Sequence, residues 1–550
     1  MKKNSFVTGT FIATASVILV KILGMLYVVP FYIIVGSKGG ALYSYGYNIY
    51  LIFLSISSAG IPSAMSKLIS EYNAKGLIEA KTRTFRLSKK IVSYISFVTF
   101  IVLFIFAEEL GALILGDLQG GNTISDVAFV IRCVSFAVLI VPHLSATKGY
   151  LQGHQYVGPS STANLIEQVV RIFIILAGSY LAYKVLNQTL TLTIGIAVSG
   201  AFFGGIAAYY YLKRQISKNK SVLDLDKKLE KDNISNKEII KKIAIYAIPS
   251  IVLNLISSIY SFTDMVIILR VLDHLGYSAH DVEFITSVIS TWGSKICMIV
   301  NSIAMGMTVT LIPSIVAAHA TSNWKELNEK INKSIQIIVY VSLPMTIGLS
   351  ILATPVWTVF YNINHYGGDI LKIMVFNALI GNVSLVVSTI LQSCNKFKAV
   401  YLTNAFGCLF NAALDMPLMI VCNYLGVGAY YGALIASFIG YSISIYVGLR
   451  TFNNGVHKVH YKDTVITILK TLLPAILMTV VLVIMNKFLP FNVYSRTSSV
   501  KLILIDMIVG AFIYIGLGIK LKIPQHIFGT KEINKILKKL TFGKFQIKED

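Results

Sequence analysis

Two lysines lie in the middle of long apolar runs of the sequence. Lys21 stands within the aliphatic stretch 17–23, and Lys295 occupies a similar depth in a later apolar segment. An ammonium group at the centre of a membrane-spanning helix costs about 2.5 to 3.5 kcal/mol, so it usually faces a water-filled cavity, a partner or an ionic substrate. We therefore predict a carrier with a cationic central cavity. The alternative is that each lysine pairs with an acidic neighbour or extends to the interface.

A second set of polar residues also lies in apolar segments and consists of Asp264, Asn411 and Asp415. Asn411 and Asp415 are four residues apart, so on a helix their side chains lie on one face, one turn from each other. Their hard oxygen atoms suit a sodium ion. A proton-coupled site also consists of carboxylates, so these residue types fit either ion. The set is a candidate sodium or proton site. A buried hydrogen-bonded network that braces the helices is the alternative.

The composition indicates a multi-pass membrane protein. The chain has 550 residues, of which 55% are hydrophobic and 13% charged, and its mean hydropathy is +0.71. The formal net charge of +23 could indicate nucleic acid. However, the basic residues lie mostly between and beyond the apolar segments and form no RNA-binding motif, so we expect membrane lipids and no nucleic acid as partners. The five cysteines form no CxxC pair, which argues against a metal site or a disulfide framework.

The apolar segments are long enough to be membrane-spanning helices, since about 20 residues cross the hydrocarbon and every backbone polar group must be paired inside it. We predict an all-α polytopic membrane protein with about fourteen spans, at 6–34, 41–69, 91–115, 127–152, 159–184, 190–212, 243–270, 282–317, 334–361, 369–394, 399–422, 426–449, 464–486 and 501–521.

Basic residues predict the orientation. They crowd the connection at residues 75–90 and the stretch 213–242, whereas the odd-numbered connections are short and poor in lysine. By the positive-inside rule the basic connections are cytoplasmic, so both termini are predicted inside a bacterial cell membrane. The basic stretch from Lys531 to Lys548 is predicted to rest on anionic lipid, with a solvated tail as the alternative.

An internal repeat predicts the domain organisation. Two short patterns recur: Ile61-Pro62-Ser63 as Ile312-Pro313-Ser314, and Leu151-Gln152 with Asn164 as Leu391-Gln392 with Asn404. We therefore predict two six-helix lobes with pseudo-twofold symmetry, which rock to give alternating access. The predicted domains are an N-terminal lobe at 1–212, a basic cytoplasmic linker at 213–242, a C-terminal lobe at 243–449, appended spans thirteen and fourteen at 450–521, and a basic cytoplasmic tail at 522–550.

Several motifs resemble a known family. They are Lys21-Ile-Leu-Gly24 with Pro30 and Gly36, Gly60-Ile-Pro-Ser63 followed by Ser66-Lys67 and Glu71-Tyr72, and Gly149-Tyr150-Leu-Gln-Gly153. They resemble the multidrug/oligosaccharidyl-lipid/polysaccharide flippase superfamily, and within it the lipid II flippases of the MurJ type and the stage V sporulation protein B group. The resemblance implies a V-shaped carrier that moves an undecaprenyl-diphosphate-linked sugar from the inner to the outer leaflet.

The same resemblance implies roles for individual residues. Lys21 and Lys295 stand where the flippase pattern places essential cations in its first and eighth spans. Asp264 in span seven, with Asn411 and Asp415 in span eleven, resembles a sodium site that some MurJ-type carriers have. The resemblance therefore implies a cationic site for the substrate and a candidate coupling site for sodium or protons, and no other cofactor.

The chain departs from the family pattern at two places. Tyr27 stands where other members carry a second cation in span one, and no arginine occurs in span two near Phe53 and Leu54. Four polar or aromatic residues of these spans are candidates to replace the ionic contacts by hydrogen bonds or sugar stacking, with aromatic core packing as the alternative: Tyr27, Tyr45, Tyr47 and Asn48. Glu167 and Arg171, four residues apart in span five, are expected to neutralise each other and are left out of the predicted site.

The expected function is a flippase that moves lipid II by alternating access, with the lipid-linked glycan, membrane lipids and the cell-wall synthesis machinery as partners. A flippase for another polyprenyl-linked polysaccharide precursor and a cation-coupled multidrug antiporter on the same fold are the alternatives. A polyprenyl-phosphate glycosyltransferase is disfavoured because the outward connections are short, and a noncatalytic scaffold would tolerate loss of both lysines. The sequence contains no Walker loop, and the membrane potential could supply direction without ATP.

Overall fold

The computed structural model describes residues 16, 17, 19–223, 225, 233–489, 491–530, 533 and 534, and of residues 303, 305 and 307–313 it describes the backbone alone. The start of the first predicted span and most of the predicted tail from Lys531 to Lys548 lie outside the described residues. Within them the regular secondary structure is helical throughout, which confirms the predicted all-α class.

The helices follow one another along the chain with short connections. Residues 19–26 are helical, and then come α1 Val28–Ser58, α2 Ile61–Ala74, α3 Ile78–Ile105, α4 Ala107–Leu115, α5 Ile124–Gly153, α6 Val157–Phe173, α7 Leu190–Lys218, α8 Asn236–His274, α9 Ala279–Ser287, α10 Gly293–Ala320, α11 Trp324–Ile351, α12 Ala353–Tyr361, α13 His365–Ser393, α14 Phe397–Tyr424, α15 Tyr430–Gly455, α16 Lys462–Phe488, α17 Arg496–Lys520 and α18 Ile523–Phe528. Three π-helical turns, Ile174–Gly178, Leu181–Val185 and Val288–Trp292, extend α6 and join α9 to α10.

Each predicted span has a helical counterpart. Twelve helical segments of the described chain are long and apolar enough to cross a membrane, and the first of them runs from Val28 to Ala74. This first segment contains predicted span two and residues 28–34 of predicted span one, which begins at residue 6 and lies partly outside the described residues. Gly36 lies between these two predicted spans. The predicted eighth span corresponds to α9, its π turn and α10. With these two additions the twelve segments account for the fourteen predicted spans.

The chain reverses direction at Gly36, which has a positive φ of 67°. The rings of Phe31 and Tyr43, on either side of it, lie 5.2 Å apart between centroids. In an unbroken α-helix their Cα atoms would be separated by about 18 Å along the axis. Glycine takes a positive φ without the steric penalty of a Cβ atom. Gly36 therefore forms the turn between the first two spans, as the predicted boundaries require.

Two glycines of the Gly149-Tyr-Leu-Gln-Gly153 motif allow α5 to contact α2 closely. A Cβ atom on Gly149 would lie 2.4 Å from the carbonyl oxygen of Pro62, and one on Gly153 would lie 2.8 Å from that of Ser66. Small residues spaced by four let two helix backbones approach each other inside a membrane, where packing drives association. The motif therefore encodes a helix contact.

The backbone repeats along the chain, in agreement with the predicted internal repeat. The break between α3 and α4 at Phe106 has its counterpart at Leu352, between α11 and α12, with nearly the same backbone angles. Gly116 and Asn362, which both have positive φ, are separated along the chain by the same number of residues as Phe106 and Leu352. The same separation holds for Gly76 and Ser322, which also both have positive φ.

The predicted pair Leu151-Gln152 and Leu391-Gln392 forms matching turns. Tyr156 N donates to Leu151 O at 2.9 Å, and Lys396 N donates to Leu391 O at the same distance. Gln155 and Asn395, the residues between, both have positive φ. The recurrence of these residues thus corresponds to a recurring turn.

The other predicted pair does not correspond in local structure. Pro62 begins α2 after Gly60, whose φ of 79° breaks the helix, whereas 312–314 lie inside the continuous helix α10. Leu311 has the place of a break-forming glycine, and a leucine disfavours positive φ. The side chains of Ile312 and Pro313 lie outside the described residues.

The helices pack in two compact units. The first comprises Met1–Trp292 and Ala412–Ala433, and the second comprises Gly293–Asn411 and Leu434–Asp550. The predicted domain boundaries at 212, 242, 449 and 521 remain predictions.

We expect Gly149→Leu to destabilise the protein by at least about 2 kcal/mol, because any side chain here collides with the backbone of α2. The matched control is Gly516→Leu on α17, where a Cβ atom meets nothing within 4 Å. Thermal unfolding of the detergent-purified protein measures both. Equal unfolding temperatures of the two variants would contradict the close contact.

Candidate functional site

Lys21 lies on the helical stretch 19–26 of the first unit and is partly buried. This stretch packs against α6: a Cβ atom on Gly24, one turn after Lys21, would lie 3.3 Å from Nε2 of Gln168. Ser16 Oγ donates to the carbonyl oxygen of Ser161 at 3.0 Å. These contacts hold the first span against span five and fix the position from which the Lys21 side chain extends.

Lys295 lies in the first turn of α10, in the second unit, and is also partly buried. The π-helical turn Val288–Trp292 directly precedes this helix. Such turns alter the direction of the side chains that follow and often occur at functional sites. A role for the two lysines in one binding site remains a prediction.

Three predicted substrate residues of the first unit, Tyr27, Tyr45 and Asn48, are buried, with 6%, 0% and 4% of their surfaces exposed. Asn48 Nδ2 donates to Ser44 O at 2.9 Å and to Thr291 Oγ1 at 3.1 Å. Asn48 therefore braces α1 against the π turn. This burial agrees with the alternative that these residues pack in the protein core. Their role in substrate binding remains a prediction.

Tyrosines of α1 face an arginine of α6 in the interior of the first unit. Tyr43, Tyr47 and Tyr50 line, together with Arg171, a small cavity of about 10 Å³ between α1, α5, α6 and α7. The rings of Tyr43 and Tyr47 stack with centroids 5.8 Å apart. A cavity of this volume holds about one water molecule. The candidate residue Tyr47 thus lies beside the cation of Arg171. The sequence analysis had paired Arg171 only with Glu167 on the same helix.

Glu167 binds two cations at once. One carboxylate oxygen lies 2.7 Å from Nη2 of Arg171, as expected from their spacing, and the other lies 2.9 Å from Nζ of Lys148 on α5. All three side chains are mostly buried. The sequence analysis missed Lys148, because its partner is on the next span; three charges within two successive apolar segments were the available signal. The cluster retains one net positive charge inside the first unit.

The three candidate sodium residues lie on two helices, α8 and α14. Asn411 and Asp415 lie one turn apart on α14 and are 1% and 0% exposed. Asp264, on α8, is partly exposed. Asp264 and Asp415 belong to the first unit, and Asn411 to the second. Complete burial of a carboxylate within a spanning helix requires a compensating proton, cation or hydrogen bonds. The role of Asp264, Asn411 and Asp415 in an ion site remains a prediction.

We expect Glu167→Gln to destabilise the protein by about 3 kcal/mol, because it leaves the Lys148 and Arg171 cations without their shared carboxylate in the membrane interior. The control is Glu108→Gln, which removes an exposed ion pair with Arg132 and should cost about 0 to 1 kcal/mol. Thermal unfolding in detergent checks the difference. Equal losses of stability in the two variants would show that the buried cluster contributes no more than a surface ion pair.

The sequence is similar to proteins of cell-envelope synthesis. A family model described as polysaccharide biosynthesis protein matches residues 6–277. The chain is 29% identical over 540 residues to lipid II flippase MurJ of Bacillus subtilis (strain 168), which covers 96% of this chain and 97% of that protein. It is 26% identical over 175 residues to stage V sporulation protein B of the same organism, with 32% of each chain covered.

Solved structures agree with this similarity in fold. A structure of lipid II flippase MurJ in an inward closed conformation matches with a TM-score of 0.66 at 16% identity, over 92% of this chain and 97% of that one. An inward-facing multidrug resistance MATE family transporter of the MOP superfamily matches with a TM-score of 0.63 at 13% identity, over 79% and 94%. The chain is thus a transporter whose sequence is similar to lipid II flippase MurJ and to stage V sporulation protein B, and whose fold is that of the MurJ and MATE structures.

Proposed function

We propose that this protein moves lipid II, the undecaprenyl-diphosphate-linked peptidoglycan precursor, from the inner to the outer leaflet of the cell membrane by alternating access. The observation that carries the proposal is the 29% identity to lipid II flippase MurJ, which extends over 96% of this chain and 97% of that protein. Similarity along both chains includes the predicted appended spans, whereas the MATE family structure covers 79% of this chain.

The chemistry of the cargo explains why lysines belong in the spans. A diphosphate cannot cross hydrocarbon unaided, because desolvation of an isolated anion costs far more than any single contact returns. Lys21 and Lys295 are both partly buried on spanning helices, where an ammonium group can form charge-assisted hydrogen bonds with phosphate oxygens. In this proposal they bind the diphosphate, and the polyprenyl tail stays in lipid.

The membrane potential supplies the direction. An inside-negative potential favours outward movement of an anion by about 2.3 kcal/mol per charge per 100 mV, and it draws the empty cationic site back inward. We further propose that a sodium ion bound by Asp264, Asn411 and Asp415 assists this return. The burial of Asn411 and Asp415 on one face of α14 supports the ion site.

A second candidate function is transport of another polyprenyl-linked polysaccharide precursor. The match to the polysaccharide biosynthesis protein model over residues 6–277 and the partial identity to stage V sporulation protein B favour it. It uses the same diphosphate chemistry and differs in the glycan. A drug antiporter is less suited, because two cavity lysines repel organic cations.

We expect Lys21→Ala and Lys295→Ala each to lower the rate of lipid II translocation at least about tenfold, the loss that corresponds to one charge-assisted hydrogen bond to phosphate. Lys470→Ala is the matched control, since it removes an exposed lysine from spanning helix α16 outside the predicted site. Translocation is measured in sealed proteoliposomes with an inside-negative potential. Normal rates in both lysine variants would overturn the cationic site.

We expect Asp415→Asn to abolish the dependence of lipid II translocation on sodium, because the amide removes the buried negative charge that would compensate the ion. Translocation rates at graded sodium concentrations and constant potential measure this. Asp117→Asn, a substitution at an exposed loop residue, should retain the sodium dependence of the wild type. A wild-type rate that does not change with sodium would exclude sodium coupling.

A further inference from the structure

A cavity of about 350 Å³ lies within the second unit, where α11 and α12 meet the ends of α16 and α17. Its walls include Lys372 of α13, Asn486 and Lys487 of α16, Phe491 of the following loop and Leu502 of α17. A volume above about 300 Å³ is within the range of small-molecule sites. Lys487 stands in the last turn of a spanning helix, so the cavity opens at the membrane boundary that the basic-residue pattern assigns to the outside.

The walls of this cavity are fixed by hydrogen bonds. Ser499 Oγ donates to the carbonyl oxygen of Val493 at 2.9 Å, and this attaches the loop before α17 to its first turn. Ser350 Oγ donates to the carbonyl oxygen of Lys372 at 2.8 Å. These hydrogen bonds fix two of the segments that form the cavity, which is lined by residues of five helices and a loop.

Two lysines line the cavity, and they differ in their partners. Lys372 Nζ lies 2.9 Å from Oδ1 of Asp369, which neutralises it. Lys487, in contrast, forms no ion pair or hydrogen bond with the described residues. An ammonium group without a counter-charge at a membrane boundary attracts an anion, and lysine binds phosphate as a point charge. A single lysine without an ion pair offers one cationic contact, which suits a phosphodiester with one negative charge.

Asn486 supplies a hydrogen-bond acceptor in the same wall. Its Nδ2 donates to Oδ2 of Asp506 at 2.7 Å, and Asp506 is 1% exposed, so this pair fixes the amide. Oδ1 of Asn486 forms no hydrogen bond within the described part of the chain. A buried acceptor gains free energy from a donor, and a ligand hydroxyl group would supply one. Phe491 and Leu502 offer apolar surface for a glycerol backbone and the first acyl carbons.

We propose that this cavity binds the headgroup of a membrane lipid with a single phosphodiester charge and free hydroxyl groups, of the phosphatidylglycerol class. Lys487 binds the phosphate, Asn486 accepts a hydrogen bond from a headgroup hydroxyl, and the acyl chains remain in the bilayer. The site lies in α16 and α17 and does not involve Lys21 or Lys295. It is therefore independent of the proposed flippase activity.

Native mass spectrometry of the full-length protein tests the site, with phosphatidylglycerol, phosphatidylcholine and water-soluble glycerophosphoglycerol as probes. We expect Lys487→Gln to weaken phosphatidylglycerol binding about tenfold, as for the loss of a charge-assisted hydrogen bond. Lys487→Arg should retain most of the affinity, because it keeps the charge. Lys501→Gln is the matched control: it removes an exposed lysine of α17 that does not line the cavity, and it should bind like the wild type.

Two results would overturn the proposal. One is equal affinity of the wild type and Lys487→Gln for phosphatidylglycerol, and the other is equal affinity of the wild type for phosphatidylcholine. Binding of glycerophosphoglycerol as tight as that of the lipid would show a soluble phosphodiester as the ligand and overturn the lipid assignment. Lipid II translocation measured on Lys487→Gln separates the two proposals, because the flippase proposal expects it to continue.

Discussion

A charge inside hydrocarbon must be paired or hydrated, and this constraint explains most of the unusual residues of the chain. Glu167 satisfies it by binding Lys148 and Arg171 together, at 2.9 and 2.7 Å. Asp506 satisfies part of it through the amide of Asn486. Lys21 and Lys295 keep part of their surfaces exposed in predicted spans one and eight, which suits the proposed role of binding an anionic cargo and releasing it again.

Close helix contact is the second requirement. Between membrane-spanning helices the hydrophobic effect contributes little, so packing of small residues holds the helices together. Gly149 and Gly153 bring α5 against α2, and Gly200 and Gly204 of α7 lie in the same way against the backbone at Arg171 and Glu167 of α6. The contact of α7 with α6 supports the helix that carries Glu167 and Arg171. Packing and charge burial in the first unit thus depend on the same helices.

The sequence predicted the spans well, because hydropathy is averaged over some twenty residues and tolerates local irregularity. The repeated Leu-Gln pairs, from which the sequence predicted an internal repeat, correspond to matching turns at Gln155 and Asn395. The sequence did not predict the breaks at Phe106 and Leu352, since neither residue is a glycine or proline and both lie inside long apolar segments. Nor did it predict the break at Gly60 inside the predicted span 41–69, whereas 312–314 continue a helix, as the predicted span 282–317 requires.

The candidate site was harder to predict than the fold. Spacing along one helix identified Glu167 with Arg171 correctly, but Lys148 joins them from another helix, and contacts between helices leave no periodic pattern in one sequence. Burial of Tyr45 and Asn48 likewise depends on neighbours such as Thr291, which is far away along the chain. Residue type and depth therefore suggest which side chains are functional, whereas their partners require the fold.

The central claim is that the chain transports a polyprenyl-diphosphate-linked glycan. The most direct measurement is the translocation rate of labelled lipid II in sealed proteoliposomes of the wild-type protein, with a phospholipid of equal label as reference and the potential set to zero or inside-negative. The account predicts protein-dependent movement of lipid II, faster under the inside-negative potential, and no such movement of the phospholipid. Lipid II that stays in its original leaflet under both conditions would contradict it.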